Sequence, residues 1–251
     1  MRPQFPHRFA ALLFTVLLTQ APWAAELDPV ALLQRSDQAR GGGLPGLIWE
    51  VRSKNSGSQV NEDDPPMRLL IKAVATASLA ETLEPPRSKG ARMLQVDRNM
   101  WLTKPGLKKP VPISPRQRLT GQAAIGDIAA TNYARDYTPK FLRSEDIAGE
   151  RCAVLELSAN TRQATYDKLI YWISEKRGVG VRAEFLSLSG KRLKSAQFEY
   201  GNTVRIDGKT VPFVSRMLIA DELTDASTTL EYGQVQVKAV PPSEFDVSHL
   251  E

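Results

Sequence analysis

Two periodicities divide the chain. From Asp28 onward, Val30, Leu32, Leu33 and Ala39 recur at near-helical spacing, and Gly41-Gly42-Gly43 ends the run. Asp28 stands where an N-cap belongs and Pro29 at the first helical position, so the pattern predicts one short amphipathic helix. From Gly46 the pattern becomes strand-like. Residues 47–52 and 67–74 are rich in Val, Ile, Leu and Trp with partial alternation, and the Ser/Asn/Asp/Pro-rich stretch 54–66 between them reads as a loop. Residues 78–83 predict a further strand, and 91–96 with 99–103 a hairpin pivoting on Asp97-Arg98.

The strand pattern then breaks. Residues 104–115 contain Pro105, Pro110, Pro112 and Pro115 and cannot form a regular central strand. Residues 116–134 are rich in Gln, Ala, Leu and Ile and predict one or two short helices broken near Gly121 and Gly126. Strand-like runs resume at 151–158, 168–174, 181–188, 192–203, 211–220 and 228–237, with Ser189-Gly190-Lys191 and Asp207-Gly208-Lys209 as turns. About ten antiparallel strands with one helical insertion predict a single curved sheet or barrel. No internal repeat or linker divides it.

The first 25 residues obey different rules. Arg2, Pro3, Pro6, His7 and Arg8 precede an apolar run from Phe9 to Leu18, and 20–25 leads into Glu26-Leu27-Asp28. This is the order of a secretory signal peptide. The run of about ten apolar residues is far short of the roughly 20 that span a bilayer. Cleavage is expected after Ala24 or Ala25, which leaves 26–251 as one exported domain. No later stretch approaches membrane length, and no cysteine ends the signal, so the mature chain is expected free in the periplasm with no transmembrane segment and no lipid anchor. At about 225 residues it is large enough for one core without disulfides. Cys152 is the single cysteine and, within an apolar run, reads as a buried small hydrophobe.

Charge and chemistry narrow the function. The formal net charge of +5 includes Arg2 and Arg8, and residues 1–25 carry no acid, so the mature chain holds +3. That favours an anionic surface but falls far below a nucleic-acid binder's excess. The two histidines are His7, in the signal, and His249, next to the C-terminus. A Ser-His-Asp or Cys-His site has no positioned imidazole to draw on, and metal, phosphate and dinucleotide motifs are missing. The residues therefore predict no catalytic site, no metal and no cofactor.

Two sets of residues remain. Arg98, Lys104, Lys108, Lys109, Arg116 and Arg118 fall within 21 residues that contain no acid. Such a run ordinarily faces water; the functional alternative is attraction to anionic lipid headgroups or a partner surface, worth about 1 kcal/mol per Lys or Arg. The aromatics Trp49, Trp101, Tyr133, Tyr166, Tyr171, Trp172, Phe185, Phe198 and Phe213 lie mostly on strands. Their default place is the core, although a half-barrel can use the same residues, Tyr133, Trp172 and Phe185 among them, to line a ligand cavity. A groove taking about a dozen methylenes would gain roughly 10 kcal/mol before ordering costs.

The central block carries a resemblance. Asp97-Arg98-Asn99-Met100-Trp101 with Pro105, then Ile113-Ser114, Arg118-Leu119-Thr120-Gly121 and Gly126-Asp127, resembles the outer-membrane lipoprotein-sorting family, the LolA/LolB-like proteins. Residues 149–157 and 183–191 are similar to that family's later strands. The resemblance implies an incomplete antiparallel β-barrel closed by a helical lid and an N-terminal helix, with an apolar cavity for acyl chains of lipoproteins or other lipids. It places Leu119, Ile125 and Ile128 toward the cavity and Trp101 on a wall strand. It also implies a periplasmic carrier, or chaperone, that works toward the outer membrane, in some members beside an inner-membrane lipid exporter. The alternative is a module that docks onto an envelope transporter or assembly machine and carries nothing. The chain is longer than the better-known lipoprotein carriers, and its R-L-x-G-x-x-x-x-G-D block marks a distinct branch.

Overall fold

The computed structural model describes residues 27–58, 60, 65–129, 132–206 and 208–250. The expected signal peptide lies outside the described residues. The first element is α1 (Pro29–Gln38), whose first turn is closed by Asp28 Oδ1 accepting from the amides of Val30 at 2.9 Å and Ala31 at 3.2 Å. Leu32 and Leu33 point inward from it.

Strands β1 (Leu47–Ser56), β2 (Arg68–Ala73), β3 (Ala77–Glu84), β4 (Arg92–Val96), β5 (Asn99–Thr103) and β6 (Val111–Ile113) run as a meander. The insertion follows as β7 (Arg118–Thr120), β8 (Ala123–Ala124), α2 (Ile125–Ile128) and α3 (Tyr133–Asp136). A second run comprises β9 (Tyr137–Ile147), β10 (Glu150–Ala159), β11 (Lys168–Ser174), β12 (Gly180–Leu186) and β13 (Arg192–Glu199). Then come β14 (Asn202–Ile206), β15 (Lys209–Phe213), β16 (Arg216–Asp221), β17 (Ser227–Tyr232) and β18 (Gln236–Val237).

One antiparallel sheet holds most of them, in the order β6-β5-β4-β3-β2-β1-β17-β16-β13-β12-β11-β10-β9, with β18 also paired to β1. Its ends, β6 and β9, do not meet, so the sheet is an open half-barrel, as the resemblance implies. A sheet this wide curls under its own twist. Among the described residues no helix is long and apolar enough to cross a membrane.

Alternation gives the sheet two faces. Leu47, Trp49 and Val51 of β1, Leu69 and Ile71 of β2, and Met93 of β4 point to the concave side and its main core. Leu79 and Leu94 point the other way, where Phe245 and Leu250 from the C-terminal turns cover them. Lys72 and Glu244 tie those turns down with an ion pair of 2.8 Å.

The structure departs most from the sequence reading in three places, besides the division of the run 228–237 into β17 and β18 and the extension of β1 to Ser56. Residues 137–147 form β9, an eleven-residue edge strand that the reading left out. Its exposed positions include Lys140, Arg143 and Asp146, and an edge strand with so little burial lacks the alternating signature. The runs 192–203 and 211–220 each divide. Between β13 and β16, which pair directly, the hairpin β14–β15 leaves the sheet and folds over the concave face, burying Val204 and Phe213. Finally, Gly121 does not break a helix but turns the β7–β8 ribbon at φ +48°, and Gly126 lies within α2.

Candidate functional site

Most of the concave face is filled by the chain itself. Arg40, just beyond α1, is 4% exposed. Its guanidinium carbon lies 4.7 Å from the centre of the Phe198 ring and 5.4 Å from that of Tyr133, a cation held between aromatic faces. Next to it Asp37 Oδ2 accepts from the Ala134 amide at 2.8 Å and so links α1 to α3. Burial pushes the Asp37 carboxyl up to about 7, against the opposing pull of the Ala134 and Tyr133 amides and of Arg40. Ser36 and Tyr171 share a hydroxyl bond of 2.8 Å, and Trp49 meets Phe213 edge-on at 5.6 Å. A smaller hollow of about 340 Å³ between α1 and α3 is lined by Gln34, Asp37, Gln38, Asn132 and Arg135 together with Gly42, Gly43 and Ala134, and its wall is polar and apolar in about equal parts.

The insertion is fastened down by side chains that need close approach. A Cβ on Gly121 would fall 2.1 Å from Asn55 Oδ1 and 2.2 Å from Thr228 Oγ1, so only glycine lets the ribbon lie this near β1 and β17. A Cβ on Gly126 would fall 2.0 Å from Thr165 Oγ1. Asp127, fully enclosed, accepts at Oδ2 from the Ala124 amide at 2.9 Å and from the Tyr166 hydroxyl at 2.7 Å. Lys194 Nζ of β13 stands 3.5 Å from the same oxygen, donates to the Gln122 carbonyl at 2.6 Å and sits 4.9 Å from the Tyr166 ring centre. The glycines and the aspartate of the R-L-x-G-x-x-x-x-G-D block are thus the docking groups of the insertion.

At the β2–β5 end the concave face is left partly uncovered, and there a cavity of about 480 Å³ opens to the outside. Met67, Met93, Leu102 and Leu119 supply its apolar lining, with Thr82 and Ala91 between them. Pro65, Pro85, Pro86 and Pro105 frame it, and Arg87, Lys89 and Lys104 stand exposed around it. The volume is that of a small-molecule site. Among the described residues no three His, Cys, Asp or Glu side chains converge as a metal site.

Of the seven residues singled out for a cavity, Leu119 lines this one. Ile125, Ile128 and Tyr133 lie in the main core instead, because α2 and α3 are pulled onto the sheet by Asp127 and Asp37 and bury their apolar faces there, and Phe185 of β12 is part of the same core, stacked against Tyr166. Trp101 occupies the convex face, paired with Leu94 and packed against the C-terminal turns. Trp172 is also on the convex face, beside Cys152 and Val154, with its indole N–H donating to Glu145 and Arg182 over its ring. Of the basic residues, Lys104 borders the cavity and Lys108, Lys109 and Arg118 are exposed. Arg116, also exposed, is tied down by donating to the Ala164 carbonyl and pairing with Asp167, at 2.8 Å each.

The sequence reading missed Met67, Met93, Leu102 and Lys89. The first three look like ordinary strand residues, and the one available signal was register: Met93 sits opposite Leu102, so both fall on one face.

Comparison with other proteins agrees with this architecture. A family model described as "Uncharacterized protein" matches residues 75–251. No curated protein matches the sequence. Among solved structures, a LolA superfamily protein from Nitrosomonas europaea is 29% identical, with a TM-score of 0.76 over 88% of this chain and 98% of that one. An outer membrane lipoprotein-sorting protein domain from Vibrio parahaemolyticus is 19% identical, with a TM-score of 0.74 over 88% of this chain and 97% of that one. A DUF1329 family protein from Desulfovibrio piger is 16% identical, with a TM-score of 0.73 over 90% of this chain and all of the other, 100%. The two more distant likenesses speak to the fold alone. The chain thus belongs to the family whose model matches residues 75–251, and with its half-open sheet it has the fold of the LolA superfamily protein it resembles.

Proposed function

We propose that the protein is a periplasmic carrier that takes the acyl chain of a lipoprotein or other lipid into the cavity at the β2–β5 end and releases it toward the outer membrane. The observation that carries this reading is the cavity itself. A protein that only needed a stable core would close this end as it closes the rest of the concave face. Here a patch of two methionines and two leucines is left facing an open space of about 480 Å³. Methionine suits such a wall, since its flexible thioether adapts to chains of different shape. Burying hydrocarbon there contributes about 0.8 kcal/mol per methylene and needs no reacting group. Residues 1–25 would deliver the chain to the periplasm as a cleaved signal.

Titration of the mature protein with a fluorescent fatty-acyl probe tests the reading. Saturable binding is expected, lost when Leu119→Glu places a carboxylate in the wall. Equal binding by both proteins would rule the cavity out as the site.

A further inference from the structure

The groups around the cavity mouth bear on what kind of lipid enters. This inference rests on the carrier reading above and narrows its cargo. Three cations border the opening: Arg87 and Lys89 from the turn after β3, and Lys104 from the turn after β5. Arg87 already has a partner of its own. The ammonium groups of Lys89 and Lys104 have none among the described residues. The two turns touch: a Cβ on Gly90 would lie 3.6 Å from Pro105 Cγ, so Lys89 and Lys104 precede adjacent positions on neighbouring loops. Acids on the nearby strands are taken up elsewhere, Glu84 by Arg68 at 3.0 Å and Glu81 by Arg92 at 4.0 Å. Glu62, Asp63 and Asp64 lie outside the described residues.

The interior sets the second limit. At about 30 Å³ for a water-sized group, comparable to a methylene, the cavity holds about sixteen such groups. That is one hydrocarbon chain. Two or three such chains side by side would need about two or three times that volume, and Pro65, Pro85, Pro86 and Pro105 frame the space.

We infer that the cargo is a single-chain amphiphile with an anionic head, its tail against Met67, Met93, Leu102 and Leu119 and its carboxylate or phosphate between Lys89 and Lys104. This differs from a carrier of triacylated lipoprotein, whose three chains would need about three times that volume.

Native mass spectrometry and competition against the acyl probe test it, with palmitate, lysophosphatidate, hexadecanol and dipalmitoyl phosphatidate as ligands. The expected result is one-to-one binding of palmitate or lysophosphatidate. The better of the two identifies the head, and both exceed hexadecanol by about 30-fold, the factor two lysines contribute beside an anion. In Lys89→Gln/Lys104→Gln the preference for the charged ligand over the alcohol should fall to near unity. Hexadecanol competing as well as palmitate would overturn the assignment of the head while leaving the carrier reading standing. Diacyl phosphatidate binding as tightly as its single-chain counterpart would overturn the assignment of one chain. If none of the four binds and the acyl probe is also ignored, both the inference and the carrier reading fall.

Discussion

The Tyr166 hydroxyl donates to the enclosed Asp127 carboxylate over 2.7 Å, joining the helical insertion to the loop that leads into β11. Burial and the adjacent Asp127 hold the Tyr166 phenol well above its ordinary range, which keeps it the donor of this bond. With Lys194 at 3.5 Å the carboxylate has a cation as well. Removing Asp127 leaves the Ala124 amide and the Tyr166 hydroxyl without their acceptor and the Lys194 ammonium without its counter-charge. Asp127→Ala should therefore lower stability by about 3–5 kcal/mol, measured as the free energy of urea unfolding. Adding Lys194→Met to it should recover part of that loss, because the stranded ammonium is then gone.

The contact at Gly126 gives a second expectation. Gly126→Ala forces its new methyl onto Thr165 Oγ1, a 2.0 Å approach that must be relieved by movement. A cost of about 1–3 kcal/mol follows. Thr165→Ala in the same chain removes the obstructing oxygen and should restore most of the stability, a coupling that a double-mutant cycle reads directly.

Asp37 makes stability depend on pH in an unusual direction. Its carboxyl titrates at about 7 in the folded protein and near 3.8 when unfolded. Between those values the folded state holds a proton that the unfolded state has lost. Stability from this group is thus fully present below about pH 4, declines as pH rises, and is gone above about pH 7. Asp37→Asn keeps an oxygen for the Ala134 amide and cannot ionise. Urea midpoints taken from pH 5 to pH 8 should fall more steeply for the native protein than for this variant; parallel profiles would contradict the assignment.

Substitutions at Phe245 and Leu119 should separate structure from binding. Trp101 packs with Leu94 under Phe245, on the face away from the cavity. Phe245→Ala is expected to cost about 3–5 kcal/mol and to leave acyl-probe affinity within about twofold. Leu119→Glu should do the reverse, with a small change in unfolding midpoint and loss of probe binding.

What the sequence made legible follows from how local each signal is. The Asp28-Pro29 start of α1, the β4–β5 hairpin on Asp97, and the exclusion of residues 104–115 from the sheet centre all depend on neighbours in the chain, and the structure has them. Asp97 even takes the left-handed φ of +52° that a tight turn asks for. The site was less legible. Whether Trp101 faces the cavity or the C-terminal turns depends on register between strands and on a segment more than a hundred residues away. The same holds for Ile125 and Ile128: their apolar character announces burial but not whether a cavity or a core receives them. Asp127 was visible as part of a motif, while its partners Tyr166 and Lys194 come together only through the fold.

The central claim is that hydrocarbon occupies the space bordered by Met67, Met93, Leu102 and Leu119. Native mass spectrometry of the mature protein, released from a membrane-containing host without detergent, addresses it most directly. The account predicts a discrete added mass in the native protein that is missing from Leu119→Glu; an added mass retained unchanged in that variant, or a native protein that is always bare and stays bare with acyl lipid supplied, would contradict it.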